Sequence, residues 1–109
     1  MSEKYKILVL DDEVEILNSL KRVFRKDYAV DTFSEGEDAL VALAETDYAI
    51  VISDMKMPGM DGATFLAKAK EVSPNSVRIL LSGYADMDST IKAINEGDIF
   101  NYVCKLIIK

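Results

Sequence analysis

The hydrophobic positions along the chain change period repeatedly, between runs typical of strands and spacings typical of helices. Short apolar or alternating runs occupy residues 5–10, 28–33, 48–53, 77–81 and 99–105. Between successive runs, apolar side chains recur every three or four residues, as on a helix with one buried face. The pattern therefore predicts strands and helices in regular alternation.

Polar residues in front of the helical stretches provide start signals for each helix. A side-chain oxygen at the residue preceding a helix can accept a hydrogen bond from a first-turn amide. The predicted cap residues are Asp12 with Glu15, Ser34 with Glu37, Asp61, and Asp86. Pro74 and Gly97 are predicted to end the third and fourth helices.

This order of elements, βαβαβαβαβ with short connections, predicts a parallel sheet joined by right-handed crossovers. We therefore expect an α/β domain with helices on both faces of a five-stranded, doubly wound parallel sheet. No repeat, linker or low-complexity segment interrupts the pattern, so residues 1–109 are predicted to form a single domain.

Composition narrows the function classes. With 109 residues, half of them hydrophobic, the chain suits one domain with a real core, and its net charge of −6 argues against nucleic-acid binding. No apolar run approaches the roughly 20 residues of a membrane span, and the N-terminus lacks a signal-peptide core. The single cysteine, Cys104, fits a reducing cytoplasm. The expected location is cytoplasmic, without membrane or nucleic-acid contact.

Candidate chemistry lies at the carboxyl ends of the predicted strands. Asp11 and Asp12 follow the first strand, Asp54 ends the third, Ser82 follows the fourth and Lys105 ends the fifth. In an open parallel sheet, these ends share one edge, where ligands bind. If the first and third strands are neighbours, three carboxylates share a pocket, and each pair about 4 Å apart repels by roughly 4 kcal/mol at an effective dielectric near 20.

Such a carboxylate cluster needs a cation, a proton or the lysine to persist at neutral pH. The chain contains no histidine, so a metal would be held by oxygen, which favours Mg²⁺, Ca²⁺ or Mn²⁺. Magnesium sites commonly combine few carboxylates with a substrate phosphate. The pocket thus predicts a divalent metal beside a phosphoryl group.

The loop after Asp54 contains a proline and two glycines, residues that restrict or widen the range of backbone conformations. Pro58 is expected to stiffen this loop, and Gly59 and Gly62 to loosen it. With these features, residues 4–105 resemble the receiver domain of two-component response regulators. The resemblance rests on Asp11-Asp12, Asp54 followed by Met57-Pro58 and Met60-Asp61-Gly62, Ser82-Gly83, and Tyr102 three residues before Lys105.

The resemblance implies a flavodoxin-like strand order, 2-1-3-4-5, and a role for each matched residue. Asp54 is implied to be the phosphoacceptor, which takes a phosphoryl group from a phosphohistidine on a sensor histidine kinase or phosphotransfer protein. Asp11, Asp12, Asp54 and the backbone carbonyl of Lys56 are implied to hold Mg²⁺ or Mn²⁺. The domain would catalyse only its own phosphorylation and dephosphorylation, and would not be an enzyme that turns over a substrate.

Three further positions are implied to form the switch. The Ser82 hydroxyl would turn toward the phosphoryl group, the Lys105 ammonium would pair with it, and Tyr102 would move inward. We expect these changes to remodel the partner-binding surface of the fourth helix and fifth strand.

The sequence departs from the family pattern at its C-terminal end. Leu106 follows Lys105 where the family normally has a proline, usually cis; a cis bond before a non-proline costs about 2.5–4 kcal/mol, so a trans bond is expected. The chain also stops before a fifth helix, which predicts a domain truncated after the fifth strand. We expect either a homodimer through the exposed C-terminal region or a piece of a longer regulator with an output domain.

Two other function classes stay open. One is a degenerate receiver that serves as an interaction or dimerisation module without phosphorylation, which Leu106 and the missing helix favour. The other is a Mg²⁺-dependent phosphohydrolase on a similar fold. Against the hydrolase, Lys56 stands two residues after Asp54, where such enzymes place a second acidic residue.

Overall fold

The structure, a computed structural model, describes residues 5–81 in full and the backbone of Ser82 and residues 101–104. Its elements are β1 (Lys6–Leu10), α1 (Val14–Phe24), β2 (Ala29–Phe33), α2 (Gly36–Glu45), β3 (Ile50–Asp54), α3 (Gly62–Val72), β4 (Val77–Ser82) and β5 (Asn101–Cys104). The predicted fourth helix, Lys105, Leu106 and the predicted lack of a fifth helix fall outside the described residues.

The described strands form one parallel sheet with the order β2-β1-β3-β4-β5. This confirms the doubly wound, flavodoxin-like order. The first and third strands are neighbours, and their last paired residues are Leu10 and Ser53. The residues that follow each strand therefore meet at one edge of the sheet.

Side chains of β1 alternate between two cores, one on each face of the sheet. Leu8 and Leu10 belong to the cluster that contains Phe65 and Leu66 of α3. Ile7 and Val9 belong to the opposite cluster, with Leu17 and Leu20 of α1. Because both faces are covered, β1 is apolar along nearly its whole length, as is typical of a buried parallel strand.

Two of the predicted N-cap residues were wrong, as the first residues of the helices show. α1 follows Glu13 rather than Asp12, and α2 follows Glu35 rather than Ser34. Among the described residues, neither Glu13 nor Glu35 makes a side-chain cap bond. The third prediction is confirmed, because the Asp61 side chain accepts a hydrogen bond of 2.8 Å from the Thr64 amide.

Hydrogen bonds from two side chains tie the strands together away from the carboxyl edge. Tyr48, just before β3, donates its phenol proton to Asp31 Oδ2 of β2 at 2.6 Å. Ser76, just before β4, donates to the Tyr48 carbonyl oxygen at 2.5 Å. Burial, together with the bond to Asp31, raises the pKa of the Tyr48 phenol above its ordinary value.

None of the helices in the described part of the chain combines the length and the apolar character needed to cross a bilayer.

Candidate functional site

Three carboxylates meet at the carboxyl edge of the sheet, between β1 and β3. Asp11 and Asp12 follow β1, and Asp54 is the last residue of β3. One oxygen from each lies within 4.8 Å of the others. Asp11 and Asp54 are buried, at 0% and 3% exposure, whereas Asp12 is exposed. The fold thus brings these three sequence-predicted residues together, and their roles as ligands remain predictions.

The turn from β1 to α1 holds Asp11 in place through its backbone and its side chain. The Asp11 amide donates to the Phe33 carbonyl oxygen at the end of β2, at 3.1 Å. Its Oδ1 accepts a bond of 2.9 Å from the Glu13 amide. The side chain that accepts a hydrogen bond from an amide at the start of α1 is therefore that of Asp11. The Asp12 side chain lies in the carboxylate cluster and does not cap the helix.

The connection from β3 to α3 is held by backbone hydrogen bonds on both sides of Met55. The Met55 amide donates to Leu81 of β4 at 3.1 Å, and its carbonyl oxygen accepts from the Gly62 amide at 2.8 Å. Gly62 is the first residue of α3 and is buried. The expectation that Gly62 loosens this loop was therefore wrong, since the residue packs tightly against the strand end.

An open cleft of about 780 Å³ begins at Asp12 and runs between the β2–α2 and β3–α3 connections. Its sides carry Glu35, Glu37 and Asp61, and it is also lined by Met57 and Met60. The two methionines pack against the core cluster on the α2–α3 side of the sheet. The carboxylate cluster is thus accessible from this side through the exposed Asp12.

The other predicted site residues are only partly described. Lys56 is exposed and directly follows the buried Met55. The backbone places Ser82 at the end of β4, paired with Cys104, and Tyr102 opposite Leu80. The side chains of Ser82 and Tyr102, and Lys105 as a whole, lie outside the described residues.

The donor set fits a hard divalent cation. All three groups are carboxylates, and oxygen ligands of this kind suit Mg²⁺, Mn²⁺ or Ca²⁺. Two of the three are buried, where water screens their repulsion poorly. Pairs at the 4.8 Å limit repel by roughly 3–4 kcal/mol at an effective dielectric of 20. Positive charge placed among them would relieve that repulsion.

Comparison with known proteins agrees with this geometry. The sequence profile of the response regulator receiver domain family matches residues 7–108. The chain is a member of this family. As a receiver domain of two-component response regulators, it belongs to a family of phosphoacceptor regulators.

Relatives of the receiver domain include transcriptional regulators. The hydrogenase transcriptional regulatory protein HoxA of Cupriavidus necator is 35% identical over 106 residues, which cover 96% of this chain and 22% of the relative. The DNA-binding transcriptional regulator NtrC of Salmonella typhimurium is 32% identical over 100 residues, covering 91% and 21%. The chain thus spans about a fifth of the length of these relatives.

A solved structure shows the same architecture. The receiver domain protein from Clostridium thermocellum has a TM-score of 0.84 at 38% identity, and the similarity covers 93% of this chain and 82% of that one. The family and the fold predicted from the sequence are therefore confirmed.

The structural roles of two residues at the site were not recognised from the sequence. Ser53 looked like the polar end of a strand, although it is fully buried beside Asp54. Gly62 looked like a loop glycine, although the pair Asp61-Gly62 marks the start of α3. A cap residue followed by glycine was the available signal that α3 begins close to the site.

Proposed function

We propose that Asp54 accepts a phosphoryl group from a phosphohistidine on a sensor histidine kinase or phosphotransfer protein. The observation that carries this proposal is the cluster of Asp11, Asp12 and Asp54 in a member of the receiver family. An Asp54 oxygen attacks phosphorus while the phosphorus–nitrogen bond breaks. The donor histidine carries a proton on its other ring nitrogen, so it leaves with the bonding electron pair as neutral imidazole. The product is an aspartyl phosphate, formed by the domain on itself.

The proposed metal ligands are Asp11, Asp12, Asp54 and the backbone carbonyl of Lys56, with Mg²⁺ or Mn²⁺ as the ion. When bound, the ion supplies positive charge that offsets the negative charge of the incoming phosphoryl group. The donor chemistry supports this assignment, since carboxylates surround the position from two neighbouring strands. Because Asp12 is exposed, the carboxylate cluster is open to solvent on that side, and a phosphodonor is proposed to approach from there.

Ser82, Lys105 and Tyr102 are proposed to read out phosphorylation. The backbone supports this proposal, because Ser82 and Cys104 pair at the ends of β4 and β5. A shift from 1:99 to 99:1 between two states needs about 5.5 kcal/mol. A charge-assisted hydrogen bond from Ser82 supplies about 1.5–3 kcal/mol of this. The Lys105 ion pair and the inward movement of Tyr102 are proposed to supply the rest.

The downstream setting is also a proposal. Residues 1–109 are proposed to act as one receiver unit in the cytoplasm, alongside an output domain. The support is that HoxA and NtrC are transcriptional regulators of which the chain spans about a fifth. A homodimer through the C-terminal region, where residues 106–108 are apolar, is a second proposed partner contact. Light scattering over a dilution series tests the dimer, and a constant monomer mass would contradict it.

The acceptor assignment is tested by intact mass after incubation with Mg²⁺ and acetyl phosphate. We expect wild type to gain one phosphoryl group, and the gain to disappear with a chelator or in Asp54→Asn. Asp47→Asn is the matched control, since Asp47 is exposed and lies outside the carboxylate cluster. It should label like wild type.

Two outcomes would contradict the assignment. Full labelling of Asp54→Asn would show that another residue accepts the phosphoryl group. No labelling of folded wild type, either by acetyl phosphate or by a phosphorylated histidine kinase, would favour a receiver that works without phosphorylation, with Leu106 as the first suspect.

A further inference from the structure

The backbone carbonyl of Asp54 lies just past the end of the neighbouring strand. The Met55 amide points to β4, where it donates a hydrogen bond to the Leu81 carbonyl oxygen. A trans peptide directs the preceding carbonyl the opposite way, so the Asp54 carbonyl points toward the β1 side. The pairing of β1 with β3 ends at Leu10 and Ser53. The Asp54 carbonyl therefore lies beyond the last paired residues of β1 and β3, where a side chain can act as a hydrogen-bond donor.

The Ser53 side chain supplies that donor. Its hydroxyl donates to the Asp54 carbonyl oxygen at 2.9 Å, and the residue is 0% exposed. The two preceding residues of β3, Val51 and Ile52, are buried apolar side chains. An apolar side chain at position 53 would add about 25 cal/mol of stabilisation per Å² of buried surface. The serine lacks that stabilisation and makes this one hydrogen bond instead.

Gly62 holds the same peptide from the α3 side. A Cβ on Gly62 would overlap the Asp54 carbonyl oxygen and lie 2.9 Å from the Met55 Cα. The Gly62 amide also donates to the Met55 carbonyl oxygen. The peptide between Asp54 and Met55 is thus held by the Ser53 hydroxyl and packed closely against Gly62, and the Gly62 amide holds the next peptide through the Met55 carbonyl oxygen. We call this arrangement the 54–55 clamp.

We propose that Ser53 is a positioning residue of the phosphoacceptor site, acting through the 54–55 clamp. Like-charged neighbours within 4.8 Å push the Asp54 carboxylate away from the cluster. Fixing the peptide of Asp54 keeps its carboxylate facing Asp11 and Asp12, and fixes the start of the turn that carries the Lys56 carbonyl. Ser53 is not one of the proposed metal ligands, and its hydroxyl donates to the Asp54 carbonyl oxygen. This inference rests on the proposed metal site.

The test compares Ser53→Ala with Ser76→Ala. Ser76 is the matched control because it is also buried, at 2% exposure, and its hydroxyl also donates to a backbone carbonyl. It lies just before β4, at the opposite edge of the sheet from the cluster. Ser53→Ala loses the bond to the Asp54 carbonyl oxygen, whereas Ser76→Ala loses the bonds to the Tyr48 carbonyl oxygen and to the Ser73 hydroxyl. Only Ser53→Ala loses a bond to Asp54.

Two readouts are taken on the full chain. The Mg²⁺ dissociation constant is measured by calorimetry, and hydrogen exchange of the Gly62 amide is measured without metal. Ser53→Ala should weaken Mg²⁺ binding roughly three- to tenfold, in line with the loss of a hydrogen bond that orients a ligand. It should also speed exchange of the Gly62 amide. Ser76→Ala should leave the Mg²⁺ affinity unchanged.

Ser53→Cys separates the hydrogen bond from the volume of the side chain. A thiol fills the space of the hydroxyl but is a weak donor. We therefore expect Ser53→Cys to lose Mg²⁺ affinity as Ser53→Ala does. A wild-type affinity in Ser53→Cys would assign the effect to packing and overturn the proposal.

The remaining outcomes separate this inference from the proposed function. If wild type binds no Mg²⁺, the metal site fails, and the positioning role fails with it. If wild type binds Mg²⁺ and Ser53→Ala binds it equally well, the metal site stands and the positioning role is overturned. Equal weakening by Ser76→Ala would reveal a general stability effect and would also overturn the proposal.

Discussion

At the scale of single residues, Gly62 and Gly59 show two different reasons for a glycine in one loop. Gly62 has no room for a Cβ, because the backbone of Asp54 and Met55 occupies that space. Gly59 has a φ of +80° and no neighbour within 4 Å of an added Cβ among the described residues. Gly62 is thus required by packing, whereas Gly59 is favoured by its backbone conformation.

Gly62→Ala is therefore expected to destabilise the domain more than Gly59→Ala. Backbone atoms must move to admit the methyl group at Gly62, which we expect to lower the free energy of unfolding by about 2–3 kcal/mol. At position 59, an alanine would have to keep the positive φ of the glycine, which costs about 1–2 kcal/mol. Urea denaturation measures both, and a smaller loss for Gly62→Ala would contradict the packing argument.

Tyr48 gives the structure a dependence on alkaline pH. Its pKa is raised by burial and by the bond to Asp31, so the folded state holds the phenol proton more tightly than the unfolded state. The resulting stabilisation is complete below the ordinary tyrosine pKa of about 10 and falls as pH rises above it. Tyr48→Phe should lose about 1 kcal/mol at pH 7.

The difference in stability between wild type and Tyr48→Phe should shrink when urea denaturation is repeated above about pH 10. Tyr5→Phe is the control, because Tyr5 is 73% exposed. Its difference from wild type should stay near zero throughout. A Tyr48→Phe difference that is constant with pH would exclude the proposed protonation effect.

At the scale of elements, α2 and α3 begin differently although each follows an acidic residue. The Asp61 side chain accepts a hydrogen bond from the Thr64 amide, whereas the Glu35 side chain makes no cap hydrogen bond within the described residues. Asp61 is shorter by one methylene, which lets its oxygen turn back to a first-turn amide. α3 thus begins at a defined residue, next to the 54–55 clamp.

Asp61→Ala should cost about 1 kcal/mol of stability through loss of this cap. Glu35→Ala, at the equivalent position of α2, should change stability by less than about 0.5 kcal/mol. Thermal unfolding of the two variants beside wild type checks the difference. Equal losses would mean that the Asp61 bond does not stabilise α3.

At the scale of the whole molecule, the carboxylate cluster links folding to metal binding. Mg²⁺ should stabilise the folded domain by about 2.7 kcal/mol at a concentration one hundred times its dissociation constant, if it binds only the folded state. Asp12→Asn should reduce that gain, because one proposed ligand is lost. Without metal, the variant should be more stable than wild type by about 1 kcal/mol, since one repelling charge is gone and water strongly screens the repulsion of exposed Asp12.

Thermal unfolding with and without Mg²⁺ measures both effects for Asp12→Asn. Asp47→Asn changes the net charge equally but lies outside the cluster. It should keep the full Mg²⁺ stabilisation. If both variants respond to Mg²⁺ like wild type, Asp12 is not a ligand.

The sequence by itself determined the alternating elements, the family and the placing of Asp11, Asp12 and Asp54 at strand ends. These follow from local rules, since apolar periodicity reports whether a segment buries one face or two. The N-cap of α3 was predictable for the same reason, because the Asp61 bond spans three residues.

The periodicity of the chain left open which strand ends become neighbours; the family resemblance implied the order, and the tertiary structure alone decided which groups hold those ends. The pairing of β1 with β3 brings Asp12 into the cluster. The packing of α3 on the end of β3 makes Gly62 a close contact, and the Ser53 hydroxyl donates to the Asp54 carbonyl oxygen. Each depends on distances between segments far apart in sequence, which apolar periodicity and cap signals do not encode.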